Sequence, residues 1–136
     1  VSEKDLRDVY HLLALLESDA ARVVAERAST EQLAQIQALH QDLENAANDR
    51  DLFFQINEAF HLLLLELADN RWRDQMVADL RKVMKLNRHH SLLKAGRIEE
   101  SLAEHAAIMQ ALEQRDPLEA CARMREHFRN GLEAAA

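Results

Sequence analysis

The sequence RDLFFQINEAFHLLLLELADN, residues 50–70, decides the fold class of this chain. Its apolar side chains recur at helical spacing and cover most sides of one helix, and the pair Asp69-Asn70 breaks the pattern. A helix that is apolar nearly all round usually lies in the middle of a bundle. Two polar residues, Asn57 and His61, stand one turn apart on its apolar stripe, where a polar group is costly unless a partner satisfies it.

The composition of the whole chain favours an all-α fold. The 136 residues are enough for one domain covering positions 1–136, and they include only 2 Gly and 1 Pro, which leaves little turn chemistry for a β-sandwich or barrel. Ala, Leu, Glu, Gln, Arg and Met dominate, and these residues lose least on entering a helix. The sequence therefore predicts one antiparallel bundle of about six to seven helices.

Helix starts and breaks are marked on both sides of this central stretch. The first two helices open on capping-box patterns, and the first ends near residue 28. The fourth helix is predicted from about residue 72 into the low 90s, and the end of the sixth is expected to fray. The markers are, in chain order, Ser2 with Asp5, Ser29 with Gln32, Asp49 or Arg50, Gly96, and Asp116 with Pro117 and Glu119.

The charge and the cysteine content exclude several classes of protein. The formal net charge is -7 and Lys and Arg are scattered, which argues against this segment holding nucleic-acid phosphates itself. The single Cys121 cannot form an internal disulfide and fits a reducing compartment. Because there is no signal-like start and no apolar run of membrane-spanning length, we expect a cytoplasmic protein without a membrane partner. The start Val1-Ser2-Glu3-Lys4 lacks an initiator Met, so we interpret the chain as a fragment of a longer protein.

Three histidines stand where leucines would be expected. His61, His105 and His127 each fall on the apolar stripe of a different predicted helix, and Asn57 shares the face of His61. Neutral imidazole is the commonest protein ligand for zinc and related divalent ions, and bundles build such sites from facing helices. A single histidine on an apolar face is more often a hydrogen-bonded core residue. Periodicity alone leaves both interpretations open. His40, among Gln and Asp, is predicted to be solvated.

The pattern offers metal ligands without a catalytic partner. Glu58-x-x-His61 matches one element of di-metal carboxylate bundles, but such sites need a second copy, and Leu102 and Met124 stand three residues before the other two histidines. A hydrolytic zinc enzyme needs a general base near the metal-bound water. The glutamates that immediately precede those two histidines point away from them on a helix. We therefore predict a binding domain and not an enzyme.

Several short motifs follow one another in a recognisable order. They are Leu16-Glu17 with Ala20-Ala21-Arg22-Val23-Val24-Ala25-Glu26-Arg27-Ala28, Asn57-Glu58-Ala59-Phe60-His61 with Ala68-Asp69-Asn70, Glu104-His105-Ala106-Ala107-Ile108 with Ala111-Leu112, Arg115-Asp116-Pro117-Leu118-Glu119-Ala120, and Met124-Arg125-Glu126-His127-Phe128. In this order and spacing they resemble the C-terminal effector-binding and dimerisation domain of FadR-type GntR-family transcription regulators, the FCD domain. The resemblance covers essentially the whole chain.

The resemblance implies a helical bundle that forms homodimers and holds a small carboxylate effector in a central cavity. Many members bind a divalent metal there through an Asp or Asn and three histidines, which by motif position are Asn57, His61, His105 and His127. Zinc is the expected ion, with nickel or manganese as alternatives. In such proteins an N-terminal winged helix-turn-helix, absent from this chain, reads DNA. Effector binding would then change the geometry of the dimer and of the DNA-binding heads.

The chain departs from the family pattern at two positions. Asp is common where Asn57 stands, and a neutral amide is a weaker metal ligand than a carboxylate. Many members carry on the first helix, four residues before the position of Glu17, an Arg that can hold an anionic effector, and here that position is Leu13. An effector carboxylate would then need the metal or another cation. Arg81 and Arg88 on the fourth helix are the candidates, with a solvated or interface role as the alternative for each.

Two other functions remain as alternatives at this point. One is a metal-dependent enzyme on a helical bundle, and the other is a structural dimerisation module whose histidines are merely buried. The first and fourth helices are the expected dimer surface.

Overall fold

The structure, a computed structural model, describes residues 2–135, without the side chains of residues 86–89. In this described part every regular element is a helix, as the sequence predicts. The helices are α1 Glu3–Arg27, α2 Thr30–Asn45, α3 Arg50–Ala68, α4 Arg71–Ser91, α5 Arg97–Glu113 and α6 Pro117–Ala135.

The predicted N-cap residues form capping hydrogen bonds at the starts of their helices. Ser2 and Ser29 each form both hydrogen bonds of a capping box, with Asp5 and Gln32 as their partners. The Asp116 carboxylate accepts from the Glu119 backbone N–H at 3.1 Å, so α6 also begins where the sequence indicates. Helix α6 continues to Ala135, and fraying of the last residues stays a prediction. None of the helices in the described residues combines the length and the apolar character needed to cross a membrane.

Helix α1 is the element that joins the bundle together. It packs against α3, α4, α5 and α6, whereas α3 packs against α1, α2 and α4. The alanines of α1 explain this position, since Ala20, Ala21 and Ala25 are completely buried and their small side chains let neighbouring helices approach closely. The many large apolar side chains of α3 predict that it is the central helix. One face of α3 is nevertheless exposed, and Leu62 on that face is 48% exposed.

The core surrounds the side of α3 that faces α1. Phe60 and Leu64 of α3 are fully buried there, together with residues of α1, α5 and α6. Tyr10 of α1 packs edge-on against Phe128 of α6, with ring centroids 6.3 Å apart. His61, His105 and His127 are buried inside this core, so their positions depend on how α1, α3, α5 and α6 pack.

The two glycines give opposite predictions for stability. Gly131 lies inside α6, and an added Cβ would meet Tyr10 Cε2 at 3.4 Å and Arg97 Nη2 at 3.6 Å, which are ordinary contacts. We expect Gly131→Ala to raise the free energy of unfolding in urea by about 0.5–1 kcal/mol, because alanine favours helix. Gly96 has a φ of 82°, so Gly96→Ala should lower it by about 1 kcal/mol although the space there is open. A loss of stability on Gly131→Ala would contradict this packing.

Candidate metal centre

Helices α3, α5 and α6 bring the three predicted histidines together. His61 and His105 are fully buried, and His127 is 6% exposed. The ring centroids lie 5.2 Å apart for His61 and His105, 5.2 Å for His61 and His127, and 4.7 Å for His105 and His127. One nitrogen from each ring can be chosen so that all three lie within 4.8 Å of one another. The apolar stripes of three separate helices thus converge on one point.

A buried carboxylate orients the first of these histidines. Glu17 of α1 is fully buried, and its Oε1 lies 2.7 Å from His61 Nδ1. A carboxylate paired with an arginine can only accept, so Nδ1 carries the proton and Nε2 keeps a lone pair. Arg81 of α4 donates to Glu17 Oε2 from Nη2 at 2.7 Å and from Nε at 3.1 Å. The same guanidinium donates from Nη1 to both carboxylate oxygens of Glu58, at 2.9 and 3.0 Å.

A second carboxylate orients His127 in the same way. Glu104 Oε1 lies 2.5 Å from His127 Nδ1, and Arg97 donates to both Glu104 oxygens at 3.0 Å. Asn130 adds a hydrogen bond to Glu104 Oε2 at 2.8 Å. Burial opposes ionisation of Glu104, but the hydrogen bonds from His127 and Arg97 outweigh it and lower the pKa of this carboxyl to about 2. Glu104 therefore remains a carboxylate and accepts a hydrogen bond from the Nδ1–H of His127.

His105 has no such support. Neither of its ring nitrogens has a hydrogen-bond partner among the described residues, and its nearest ring neighbour is Phe60, with centroids 4.5 Å apart. Burial, followed by the proximity of His127 and His61, holds the pKa of His105 well below its usual value, so the ring is neutral. The Asn57 Oδ1 is likewise buried without a partner in the described part of the chain. Buried polar groups in native proteins normally have partners, so these atoms need an explanation.

The donor set fits a divalent transition-metal ion. Two imidazoles have their Nδ1 atoms engaged by carboxylates, which is how metal-bound histidines are usually oriented, and the third is neutral, so that one of its two ring nitrogens carries a lone pair. Imidazole nitrogen suits zinc, nickel and related ions, and three such ligands leave further coordination positions open. The Asn57 oxygen also lacks a partner among the described residues, and Asn57 lines a cavity together with His127.

A small cavity is lined by two of these residues, Asn57 and His127. Its volume is about 30 Å³, and among its lining residues are Asn57, His127, Arg97, Tyr10 and Ser101. One water needs roughly 10–15 Å³ by this measure, so the cavity has room for water but not for an organic acid. A larger ligand would have to move side chains on entering.

Arg81 and Arg88 are the two arginines predicted to bind an anionic effector. Arg81 is 5% exposed and lies between Glu17 and Glu58, so it is neither solvated nor among the residues that line the cavity. Arg88 falls among the residues whose side chains are not described. Their role in effector binding stays a prediction. Arg97 of α5 is the arginine that lines the cavity.

The sequence did not predict the roles of three residues in the candidate site, Glu17, Glu104 and Arg97, and the prediction for one other residue is wrong. Glu17 lies on the buried stripe of α1, four residues after Leu13, and was detectable by the same signal as the histidines. Glu104 does point away from His105 but reaches His127 on another helix, and its partner Arg97 carried no local signal. The prediction that His40 is solvated is wrong. It is 4% exposed, bonded through Nε2 to Glu44 at 3.0 Å.

The unsupported ring of His105 leads to a prediction for stability. In the metal-free domain, His105→Leu should raise the free energy of unfolding by about 1–3 kcal/mol, because it removes two buried polar atoms that lack partners. His61→Leu should lower it, because Glu17 then loses a hydrogen bond while remaining buried. Urea unfolding in the presence of a chelator measures both. Equal destabilisation by the two substitutions would show that His105 is hydrogen-bonded in the metal-free state.

Comparison with known proteins agrees with this architecture. Three solved structures share the fold. E. coli McbR/YncC has a TM-score of 0.88 and 19% identity over 99% of this chain and 69% of that chain. Streptococcus agalactiae GntR has a TM-score of 0.80 and 24% identity over 96% of this chain and 58% of that one. Lar, which controls the expression of the Listeria monocytogenes agr system and mediates virulence, has a TM-score of 0.84 and 16% identity over 99% of this chain and 65% of that one.

These identities show a common fold, and the chain spans between 58% and 69% of the length of these proteins. A search of curated protein sequences finds no match. The FCD domain family matches the sequence over residues 8–130, which is most of the chain. The chain therefore belongs to the FCD domain family.

Proposed function

We propose that this chain is the ligand-sensing and dimerisation domain of a GntR-type bacterial transcription regulator, and that it binds a divalent metal ion and a small carboxylate effector. One observation carries the proposal: His105 is fully buried with both ring nitrogens unpartnered in the described structure, beside two histidines that carboxylates orient towards it. An FCD domain that needed only a packed core would be better served by leucine at this position.

The metal site consists of His61, His105, His127 and Asn57. Zinc is the first choice of ion for three imidazoles, and nickel or manganese are the alternatives. Asn57 replaces the Asp common in the family, so the site carries one negative charge fewer, and we expect weaker binding or a different preference among ions. When bound, the ion supplies a positive charge with open positions that can accept a carboxylate oxygen.

The effector is a small carboxylate because of the charges around the cavity. The two buried arginines nearest the histidines, Arg81 and Arg97, are each neutralised by glutamates. The ion therefore provides the net positive charge of the site, and an anion should bind only when the ion is present. The cavity of about 30 Å³ must widen to admit an organic acid, so binding and a change in helix packing are coupled.

A hydrolytic enzyme is disfavoured by the same contacts. The glutamates closest to the histidines, Glu17 and Glu104, are held in ion pairs and orient imidazoles. A general base must instead be free to take a proton from a metal-bound water. The arrangement favours binding over turnover.

DNA recognition would reside outside this chain. The domain has a net charge of -7 and spans about two thirds of its structural neighbours. We place the DNA contacts in an N-terminal winged helix-turn-helix of the intact regulator, which would work in the cytoplasm.

A homodimer would cover the apolar face formed by α1 and α4. Leu12 and Leu15 of α1 and Trp72, Met76 and Val83 of α4 are all between 45% and 70% exposed. The residues of α4 are spaced to share one side of the helix, and two ion pairs join α1 to α4. Large contiguous apolar patches are unusual on monomers, and a second copy of this chain presents a matching one.

Metal binding is the first test of this function. The untagged domain should contain one equivalent of zinc, nickel or manganese by elemental analysis, and His105→Ala and His127→Ala should abolish it. Adding the ion at about 100 times its Kd should stabilise the wild type by roughly 3 kcal/mol, because it binds only the folded chain. Asn57→Asp should tighten binding. His11→Ala, on an exposed histidine, is the control.

The effector is tested with the same samples. A carboxylate that raises the melting temperature of the loaded wild type should have no effect on the metal-free protein or on His105→Ala. A wild type that purifies without metal, and whose melting temperature does not change with zinc, nickel or manganese, would contradict the metal site. Turnover of a carboxylate or ester would favour the enzyme instead.

The dimer surface is tested by introducing charge. Met76→Glu should convert a species of twice the 15.6 kDa chain mass into a monomer in sedimentation equilibrium, because it buries a carboxylate in the apolar interface. Leu118→Glu on α6 changes a side chain that is 78% exposed and lies outside this face, and it should leave the mass unchanged. A monomeric wild type, or equal behaviour of the two variants, would rule the surface out.

A further inference from the structure

Two of the three histidines are each bonded to a glutamate that is itself bonded to an arginine. His61 is bonded to Glu17, which is bonded to Arg81, and His127 is bonded to Glu104, which is bonded to Arg97. The two sequences use different helices and share no residue. We name them relay 1 (His61, Glu17, Arg81) and relay 2 (His127, Glu104, Arg97).

We infer that Arg81 and Arg97 are positioning residues of the metal centre, which act on the ligating nitrogens through Glu17 and Glu104. This inference rests on the proposed metal site. It assigns to Arg81 a role different from effector binding, and it gives a role to Arg97, for which the sequence carried no signal.

The carboxylates select one tautomer of each histidine. In water a neutral histidine can carry its proton on either ring nitrogen, and only the unprotonated nitrogen binds a metal. The carboxylates of Glu17 and Glu104 lie 2.7 and 2.5 Å from Nδ1 of their histidines. Both contacts select the Nδ1–H form and fix the direction of the ring, so that Nε2 is the nitrogen that carries the lone pair.

The carboxylates depend in turn on the arginines. Glu17 is fully buried, and a polar group in such a place is costly unless partners engage its oxygens. Arg81 approaches its Oε2 with two donors, so the other oxygen, Oε1, remains for His61. Arg97 spans both oxygens of Glu104 in the forked geometry that arginine favours. Each arginine thus fixes both the charge and the orientation of its glutamate.

A third arginine–carboxylate pair, half-buried and without a histidine, serves as a comparison. Arg73 of α4 is 8% exposed and donates to Asp19 of α1 at 2.6 Å. It joins the same two helices as the pair Arg81–Glu17, but Asp19 bonds Arg22 and not a histidine. Arg73 is therefore a matched control for a purely structural contribution.

The two relays differ in what they connect. Arg97 is the first residue of α5 and pairs with Glu104 seven residues later on the same helix. Arg81 comes from α4 and links α1, α3 and α4 through Glu17 and Glu58. Removing Arg81 should therefore affect metal binding and the packing of α4 together, whereas removing Arg97 should act mainly on the site.

The experiment measures the affinity of the full chain for Zn²⁺ by competition with a chromophoric chelator, and the visible absorption of bound Co²⁺. Arg97→Met and Arg81→Met should weaken Zn²⁺ binding on the order of tenfold, at the lower end of the range for groups that orient metal ligands. Their Co²⁺ spectra should also change. Arg81→Lys and Arg97→Lys keep a cation and should recover most of the affinity. Arg73→Met should bind within about threefold of the wild type, whatever its stability.

Equal Zn²⁺ affinity in wild type, Arg97→Met and Arg81→Met would overturn the inference, as would an equal loss in Arg73→Met. If Arg81→Met fails to fold, Arg97→Met and the two lysine variants decide the result. A wild type that binds no metal overturns the proposed site and the inference with it.

A metal-free measurement separates the two failures. Long-range ¹H–¹⁵N NMR spectra of the imidazole rings report which nitrogen carries the proton. His61 and His127 should carry it on Nδ1 in the metal-free wild type, and Glu17→Gln and Glu104→Gln should weaken this preference at the corresponding ring. Protons on Nε2 in the wild type would overturn the relays even if the protein binds metal.

Discussion

The buried carboxylate of Glu17 holds the centre of this bundle together. It comes from α1, is completely shielded from water, and contacts His61 of α3 on one oxygen and Arg81 of α4 on the other. A carboxylate in this position is tolerated only because both oxygens are engaged, one by an N–H and one by a guanidinium. The relative positions of three helices must satisfy these contacts at the same time. Hydrophobic packing alone would allow those helices to slide, whereas the directional contacts to Glu17 do not.

The interior is therefore organised around polar groups, which is unusual for a small helical domain. Two imidazoles are each bonded to a carboxylate that is paired with an arginine, while His105 and the Asn57 oxygen are buried without hydrogen-bond partners among the described residues. In the absence of an ion, the site lowers the stability that an apolar core of the same shape would have. Proteins keep such costly groups where function requires them. The proposed sensory role thus accounts for the polar residues that the core contains.

Local signals were enough to predict most of the fold. Ser29 and Asp116 mark helix starts through hydrogen bonds within four residues, so their effect can be read without knowing the rest of the structure. The three histidines were also predictable, because helical periodicity shows which side chains face inwards. Their mutual distances could not be predicted, since those depend on how α3, α5 and α6 pack.

The failures have a different physical origin. His40 was judged by its neighbours Gln41 and Asp42, but Ile36 and Leu43 show that its face of α2 is buried. Arg81 and Arg97 depend on partners that only the tertiary structure supplies. A charged residue on a helix carries no mark that distinguishes a solvated side chain from one paired inside the core.

The length of α1 gives the contact at Glu17 a mechanical consequence. The helix runs without interruption from Glu3 to Arg27, so it behaves as a rigid rod. About 20 Å of helix separate Glu17 from the first turn, and a tilt of about 5° pivoting at Glu17 would displace that turn by about 2 Å. A small adjustment of the His61 ring, passed to Glu17, is thus enlarged at the far end of α1. The helix would act as a lever arm whose fulcrum is a single buried carboxylate.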